Sequence, residues 1–104
     1  MSSLYVTEYQ TQARDAQGYL MAAGQEPAVD VKKVAIGGTS TQSAAFDATT
    51  RFIMVHADVI CHIRVGTNPT ATDEWTRLAA NSTLFFGVQA HGAGSQKIAV
   101  IEGV

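Results

Sequence analysis

The sequence predicts an all-β protein: a β-sandwich or jelly roll of about seven short strands with an extended N-terminal arm. Val, Ile and Thr together number 27, whereas there are only 4 Leu. β-Branched side chains lose rotamer freedom in a helix but pack well on a pleated sheet. Turn residues recur about every ten positions, which is typical of short antiparallel strands.

The length of 104 residues corresponds to one domain. A chain of this size buries roughly 65% of the surface that its unfolded state exposes, so it can fold without a metal or a disulfide. Hydrophobic residues make up 46% of the chain, and their periodic placement argues against disorder.

The N-terminal segment is predicted to be a strand followed by an arm. Residues 4–9 are strong β formers, but residues 10–28 are too polar for a central strand and carry glycines that disfavour a helix. Tyr19, Leu20 and Met21 would be the apolar anchor of this arm, which packs either over its own sandwich or against a neighbouring subunit. We therefore divide the chain into an N-terminal strand and arm, 1–28, and a β-sandwich domain, 29–104.

From residue 29 onward, short strands alternate with turns. We predict strands at 29–36, 44–47, 51–56, 59–65, 77–79, 83–88 and 97–102. A long loop at 66–76 contains the turn pair Asn68-Pro69, and a glycine-rich connection spans 91–95. No internal repeat is present, which argues against a solenoid or a propeller.

The strands at 51–56 and 59–65 are the strongest, and Ala57-Asp58 between them predicts a two-residue hairpin turn. Val55 would then lie opposite Ile60, although a three-residue loop would exchange the pairing. In either register both faces of the hairpin carry large apolar side chains, whereas a solitary sandwich solvates its outer faces. Burial of Ile53, Val55 and Ile60 is worth about 5 kcal/mol, so we expect the arm or another chain to cover them.

Charge and cysteine content exclude several classes of protein. The net charge is −2, and no basic run exceeds Lys32-Lys33, so the cationic stripe of a nucleic-acid binder is missing. No apolar stretch is long enough to span a membrane. The first residues lack the pattern of a secretory signal, and the single Cys61 forms no internal disulfide, so we expect folding in a reducing cytosol.

Residues that could carry chemistry are scattered. His56, Cys61, His62 and His91 are the candidate metal ligands, but Cys61 and His62 point to opposite faces of a strand and cannot share a metal. His56 and Cys61 could lie on one face, yet a structural zinc needs four ligands, and the sequence has no C-x-x-C or H-x-x-x-H spacing. The doublet Gly37-Gly38 lacks the rest of a phosphate loop, and 92–94 matches only half of a dinucleotide fingerprint. No nucleophile, base and orienting group come together, so we expect neither an enzyme nor a cofactor or metal site.

One loop combines acidic residues with a large aromatic. Asp73 and Glu74 precede Trp75, and such a trio can stack on a sugar or contact a protein partner. The alternative is that Trp75 merely caps the core.

A distinctive order of stretches covers most of the chain. The stretches are 36–46 (IGGTSTQSAAF), 50–56 (TRFIMVH), 65–72 (VGTNPTAT), 76–81 (TRLAAN), 85–88 (FFGV) and 97–101 (KIAVI). In this order they resemble small structural proteins encoded in the virion gene clusters of tailed bacteriophages. The resemblance implies a capsid decoration, or cement, protein on the virion surface that binds the major capsid protein, assembles as a dimer or trimer, and has no catalytic residues.

These observations define a set of expected contact residues for such partners. They are Tyr5, Tyr9, Tyr19, Leu20, Met21, Ile53, Val55, Ile60 and Trp75. Two other hypotheses remain: a phage tail, fibre or glycan-binding module that uses the 66–76 loop with Trp75, and a hydrolase of cupin-like shape, for which the usual His and Glu metal set is missing.

Overall fold

A computed structural model of the chain describes residues 2–88 and 96–103, and in these residues it contains strands, turns and no helix. The strands are β1 (Ser3–Tyr9), β2 (Gln12–Arg14), β3 (Leu20–Gly24), β4 (Asp30–Ala35), β5 (Thr41–Gln42), β6 (Phe52–Ala57), β7 (Cys61–Gly66), β8 (Thr76–Leu78), β9 (Ser82–Gly87) and β10 (Lys97–Glu102). The all-β prediction is confirmed.

Eight of these strands form two antiparallel four-stranded sheets, and β2 and β3 form a separate hairpin. The first sheet has the order β4-β1-β6-β9, and the second has the order β5-β10-β7-β8. Along the chain, the strands from β4 to β7 alternate between the two sheets, as do β8, β9 and β10. This alternation is that of a jelly roll, with β1 inserted between β4 and β6 as a central strand.

Side chains that alternate along the strands build a single core between the sheets. On β6, Ile53 and Val55 point inward and are fully buried, whereas Met54 and His56 lie on the outer face. On β7, Ile63 supplies the opposing layer. Because every second residue of each strand faces the other sheet, both strands contribute to one core.

The predicted hairpin between residues 51–56 and 59–65 is wrong. The strands β6 and β7 belong to different sheets, so Val55 pairs with Val6 and Leu84 rather than with Ile60. Ile53 and Val55 are therefore enclosed by their own chain, and Ile60 is half-buried in the connection. The apolar groups on both strands meet across the core, so no partner is needed to cover Ile53 and Val55.

The connection between β6 and β7 is fixed by hydrogen bonds to distant parts of the chain. The Asp58 carboxylate accepts a hydrogen bond from the Ser3 amide at 3.0 Å. The carbonyl of Ile60 accepts one from the Gly103 amide at 2.8 Å. These two hydrogen bonds take the place of the cross-strand hydrogen bonds that a two-residue hairpin would form. They direct the chain into the second sheet.

Most other predicted strands agree with the structure, with two corrections. Residues 44–47 form no strand, and the neighbouring strand is the two-residue β5.

The predicted extended arm is folded back as the β2–β3 hairpin, in which the Asp15 carboxylate accepts hydrogen bonds from the amides of Gln17 and Tyr19. Gly18 has φ of 87°, a conformation that favours glycine. The predicted connection at 91–95 lies outside the described residues.

One buried carboxylate joins β1 to two other parts of the sandwich. Glu8 is fully buried and accepts hydrogen bonds from the Thr50 hydroxyl and the Asp47 amide, each at 2.8 Å. Its second oxygen contacts the ammonium of Lys32 on β4, which also binds the exposed Asp30 at 2.7 Å. Burial alone would lower the pKa of Lys32, but the hydrogen bonds to Asp30 and Glu8 raise it overall.

We expect Glu8→Ala to lower the free energy of unfolding by about 3 kcal/mol, because it leaves buried donors and a cation without their acceptor. Denaturation with urea measures this change. Asp30→Ala is the matched control, since it removes the exposed carboxylate from the same lysine and should cost far less. Equal losses in the two variants would contradict the central role of Glu8.

Candidate interaction surfaces

The described residues contain no group of three or more His, Cys, Asp or Glu side chains that could hold a metal ion. No helix long and apolar enough to cross a membrane occurs in residues 2–88 and 96–103. The two described histidines make local contacts: His56 Nδ1 lies 3.0 Å from the Thr83 hydroxyl, and His62 Nδ1 lies 3.1 Å from the Trp75 carbonyl. The candidate sites considered for the described residues are exposed surfaces.

The end of the β2–β3 hairpin presents three consecutive large apolar side chains to solvent. Tyr19 is 72% exposed, Leu20 57% and Met21 45%. We call these three residues the hairpin tip. They do not pack over the sandwich. For these three residues, the alternative that the arm covers its own sandwich is therefore excluded. Successive residues of a strand face opposite sides, so Leu20 and Met21 present apolar surface on both sides of the hairpin, and exposed apolar surface is a feature of interaction sites.

The base of the hairpin, in contrast, packs on the outer face of the first sheet. The Tyr9 ring lies directly against Gly24, and Tyr9 is only 4% exposed. Phe52 continues this cluster, with a ring centroid 6.5 Å from Tyr9 and 5.8 Å from Phe85. Burial, aided by the Glu26 carboxylate, raises the pKa of Tyr9. Tyr9 therefore anchors the hairpin within its own chain, which corrects the expectation that it contacts a partner.

Tyr5 lies further along the same outer face and remains 40% exposed. Its ring is 6.5 Å from the His56 ring, and the Lys33 ammonium lies 5.6 Å from its centroid. Tyr5 and the hairpin tip are thus accessible to a partner, whereas Ile53 and Val55, also expected as partner contacts, are core residues and Ile60 is half-buried.

Trp75 lies on the other side of the molecule, next to the second sheet. The Arg64 guanidinium stacks over its ring at 4.0 Å from the centroid, and the ring remains 43% exposed. The Trp75 side chain therefore does not cap the core between the sheets. One face of the ring is instead occupied by a cation.

The loop before Trp75 is fastened to the second sheet. The Gln42 amide donates hydrogen bonds to Asn68 Oδ1 at 2.9 Å and to the Pro69 carbonyl at 2.8 Å. The Ala71 amide donates to the Ser40 hydroxyl at 2.9 Å. Ala99 points to this outer side and is fully buried, as expected beneath such a cover. The loop thus holds Trp75 in a defined position.

A cavity of about 200 Å³ opens beside Trp75, between the two sheets. Its lining consists of Ile63, Arg64, Val65, Trp75, Thr76 and Phe86. Phe86 comes from the first sheet, Trp75 from the loop before β8, and the other four residues from the second sheet, so the cavity lies at the open edge of the sandwich. We call it the β7 notch.

Sequence reasoning missed two stacked pairs because each depends on which segments lie side by side in the fold. The stacked pair Phe52–Phe85 joins neighbouring strands of the first sheet, and the Arg64–Trp75 stack joins β7 to the end of the loop. The doublet Phe85-Phe86 was the available signal: two successive aromatics on one strand must face opposite sides, so one of them had to lie outside the core.

The single thiol is shielded, and this predicts its reactivity. Cys61 is fully buried, and burial, with a smaller effect of Asp58, raises its pKa to about 11. The folded protein should resist a thiol reagent near pH 8 and react once guanidinium chloride unfolds it. An unfolded thiol has a pKa of about 8.5, so this group's contribution to stability is complete below that pH and decreases as the pH rises toward 11. Rapid labelling of the folded chain would contradict this prediction.

Gly24 is required by the Tyr9 ring, because an added Cβ would lie 2.1 Å from its Cδ2 atom. We expect Gly24→Ala to displace the hairpin and to destabilise the chain by about 1–3 kcal/mol. Urea denaturation of both single variants and the double variant tests this, since Tyr9→Ala should remove most of the effect. Gly37→Ala, where the space is open, is the control. Additive effects of the two substitutions would contradict the contact.

Comparison with known proteins gave no match, whether to a family model, a curated protein or a solved structure. A functional proposal therefore rests on the sequence itself and on the surfaces described above.

Proposed function

We propose that this protein is a non-enzymatic structural protein of a tailed-bacteriophage virion. It decorates the capsid surface as a cement protein and stabilises the head by bridging subunits of the major capsid protein. It folds in the cytoplasm of the host bacterium and needs no cofactor. The proposal combines the sequence resemblance with an interaction surface that the sandwich does not need for its own core.

The hairpin tip is the observation that carries this proposal. Its side chains are Tyr19, Leu20 and Met21, and none of them contributes to the core cluster. Complete burial of one such side chain is worth about 1.5–3 kcal/mol. A decoration protein binds in many copies, so a modest interface of roughly 800 Å² per partner is sufficient to stiffen a shell.

Self-association as a dimer or trimer is part of the same proposal, but it now depends on residues other than Ile53 and Val55. The buried Ile53 and Val55 give it no support. Tyr5 on the outer face of the first sheet and the hairpin tip are the apolar groups that remain available to a neighbouring copy.

The geometry at Trp75 leaves at most one face of the ring for a sugar, so it gives limited support to the glycan-binding alternative. A sugar stacks on the face of an aromatic ring, and Arg64 occupies one face of Trp75. The loop that carries Trp75 is also fastened to the sheet by Gln42 and Ser40. A protein partner could contact the part of the Trp75 side chain that remains exposed.

The experiment is co-sedimentation of the purified protein with empty capsids. We expect the wild-type protein to sediment with the capsids. A triple variant, Tyr19→Thr, Leu20→Thr and Met21→Thr, should bind at least tenfold more weakly, because threonine preserves the strand preference but removes the apolar surface.

Val31→Thr is the matched control, since Val31 is 62% exposed on the edge strand β4 and lies outside the hairpin. It should bind like the wild type. Failure of the wild-type protein to bind capsids, or unchanged binding by the triple variant, would overturn the proposal.

A further inference from the structure

The second sheet is incomplete beside β7. Strand β10 pairs with the whole of β7, from Cys61 to Gly66. Strand β8 pairs only with its first half, Cys61 to Ile63, because the chain turns at Thr72–Trp75. Among the described residues, the second half of β7 therefore has a ladder partner on one side only.

The β7 notch lies behind this unpaired half. Val65 is 39% exposed, although its partner in the ladder, Ile98, is fully buried. The notch exposes apolar groups of both sheets where one more strand residue would cover them. Its volume of about 200 Å³ exceeds the roughly 150 Å³ that holds a benzene ring in an engineered protein cavity. One large apolar side chain would fill it.

The rim of the notch carries a cation in a defined position. Stacking on Trp75 orients the Arg64 guanidinium, which is half-buried. In the part of the chain that the structure describes, no carboxylate lies within 4.0 Å of it, including those of the nearby Asp73 and Glu74. Lys97, opposite Gly66 in the ladder, also lacks such a carboxylate. An acidic group is the complement of this rim.

From these observations we propose that the β7 notch binds an extended acidic peptide segment of a protein partner. The segment adds a strand along Arg64–Gly66 of β7, places one large apolar side chain in the notch, and pairs a neighbouring carboxylate with Arg64. Backbone hydrogen bonds would supply affinity, and the notch and the cation would supply specificity, as in other cases of strand addition. This site lies apart from the hairpin tip and goes beyond the proposed cement role.

The test is selection of random octapeptides, displayed on a carrier, on the purified full-length protein. We expect enrichment of peptides in which a large apolar residue is flanked by Asp or Glu. A synthetic peptide of the enriched sequence should shift the backbone amide resonances of residues 64–66. Its affinity should fall at least tenfold for Arg64→Glu and recover in part for Arg64→Lys.

Arg77→Glu is the matched control, because it makes the same charge change on an exposed residue of β8 that lies outside the notch. It should leave peptide binding unchanged, as should the triple threonine variant of the hairpin tip. Loss of capsid binding in that variant with peptide binding retained would separate the two sites. Thermal unfolding of each variant verifies that it is folded.

Three results would overturn the inference: no enriched peptide, enrichment of basic peptides, or equal loss of binding in Arg64→Glu and Arg77→Glu. A fourth is binding of neutral oligosaccharides that Trp75→Ala abolishes while no peptide is selected. That result would assign the loop to glycan recognition instead.

Discussion

The passage of the chain between the sheets at residues 58–60 is the constraint on which the sandwich depends. It sets the inner faces of β6 and β7 against each other, so that Ile53 and Val55 oppose Ile63 instead of lying beside it. The hydrogen bonds that fix this passage come from Ser3 and Gly103, which lie near opposite ends of the sequence. Residues near both ends of the sequence therefore hold the 58–60 passage in place.

The molecule separates the parts that stabilise it from those that remain available for contact. The buried carboxylate of Glu8 ties β1 to β4 and to the segment before β6, and the Tyr9 ring fixes the base of the hairpin. The hairpin tip takes no part in this scaffold, and the β7 notch opens at the edge of the core, where Ile63 and Phe86 form part of its lining. Surfaces of this kind can change their specificity without altering the fold.

Much of the fold was predictable from sequence, because alternation and turn residues are local signals. Strand β10 matched its predicted bounds, 97–102, and the exposed triplet of the hairpin tip was identified as a contact candidate. The predicted hairpin was wrong because two successive strands with apolar residues on both faces can be arranged in two ways. They can pair as a hairpin that another chain covers, or they can lie in different sheets and pack across a core. Local pattern does not distinguish them. The Glu8 network and the Arg64–Trp75 stack were equally inaccessible, since their partners are distant in the sequence.

The complete burial of Cys61 has a practical consequence for experiments in solution. The only thiol of the natural chain lies in the core between the two sheets. A cysteine engineered at an exposed position would therefore be the sole target for a maleimide fluorophore. No prior cysteine removal would be required, and the packing around β7 would remain that of the natural protein. Such a reporter could follow occupancy of either surface in a titration.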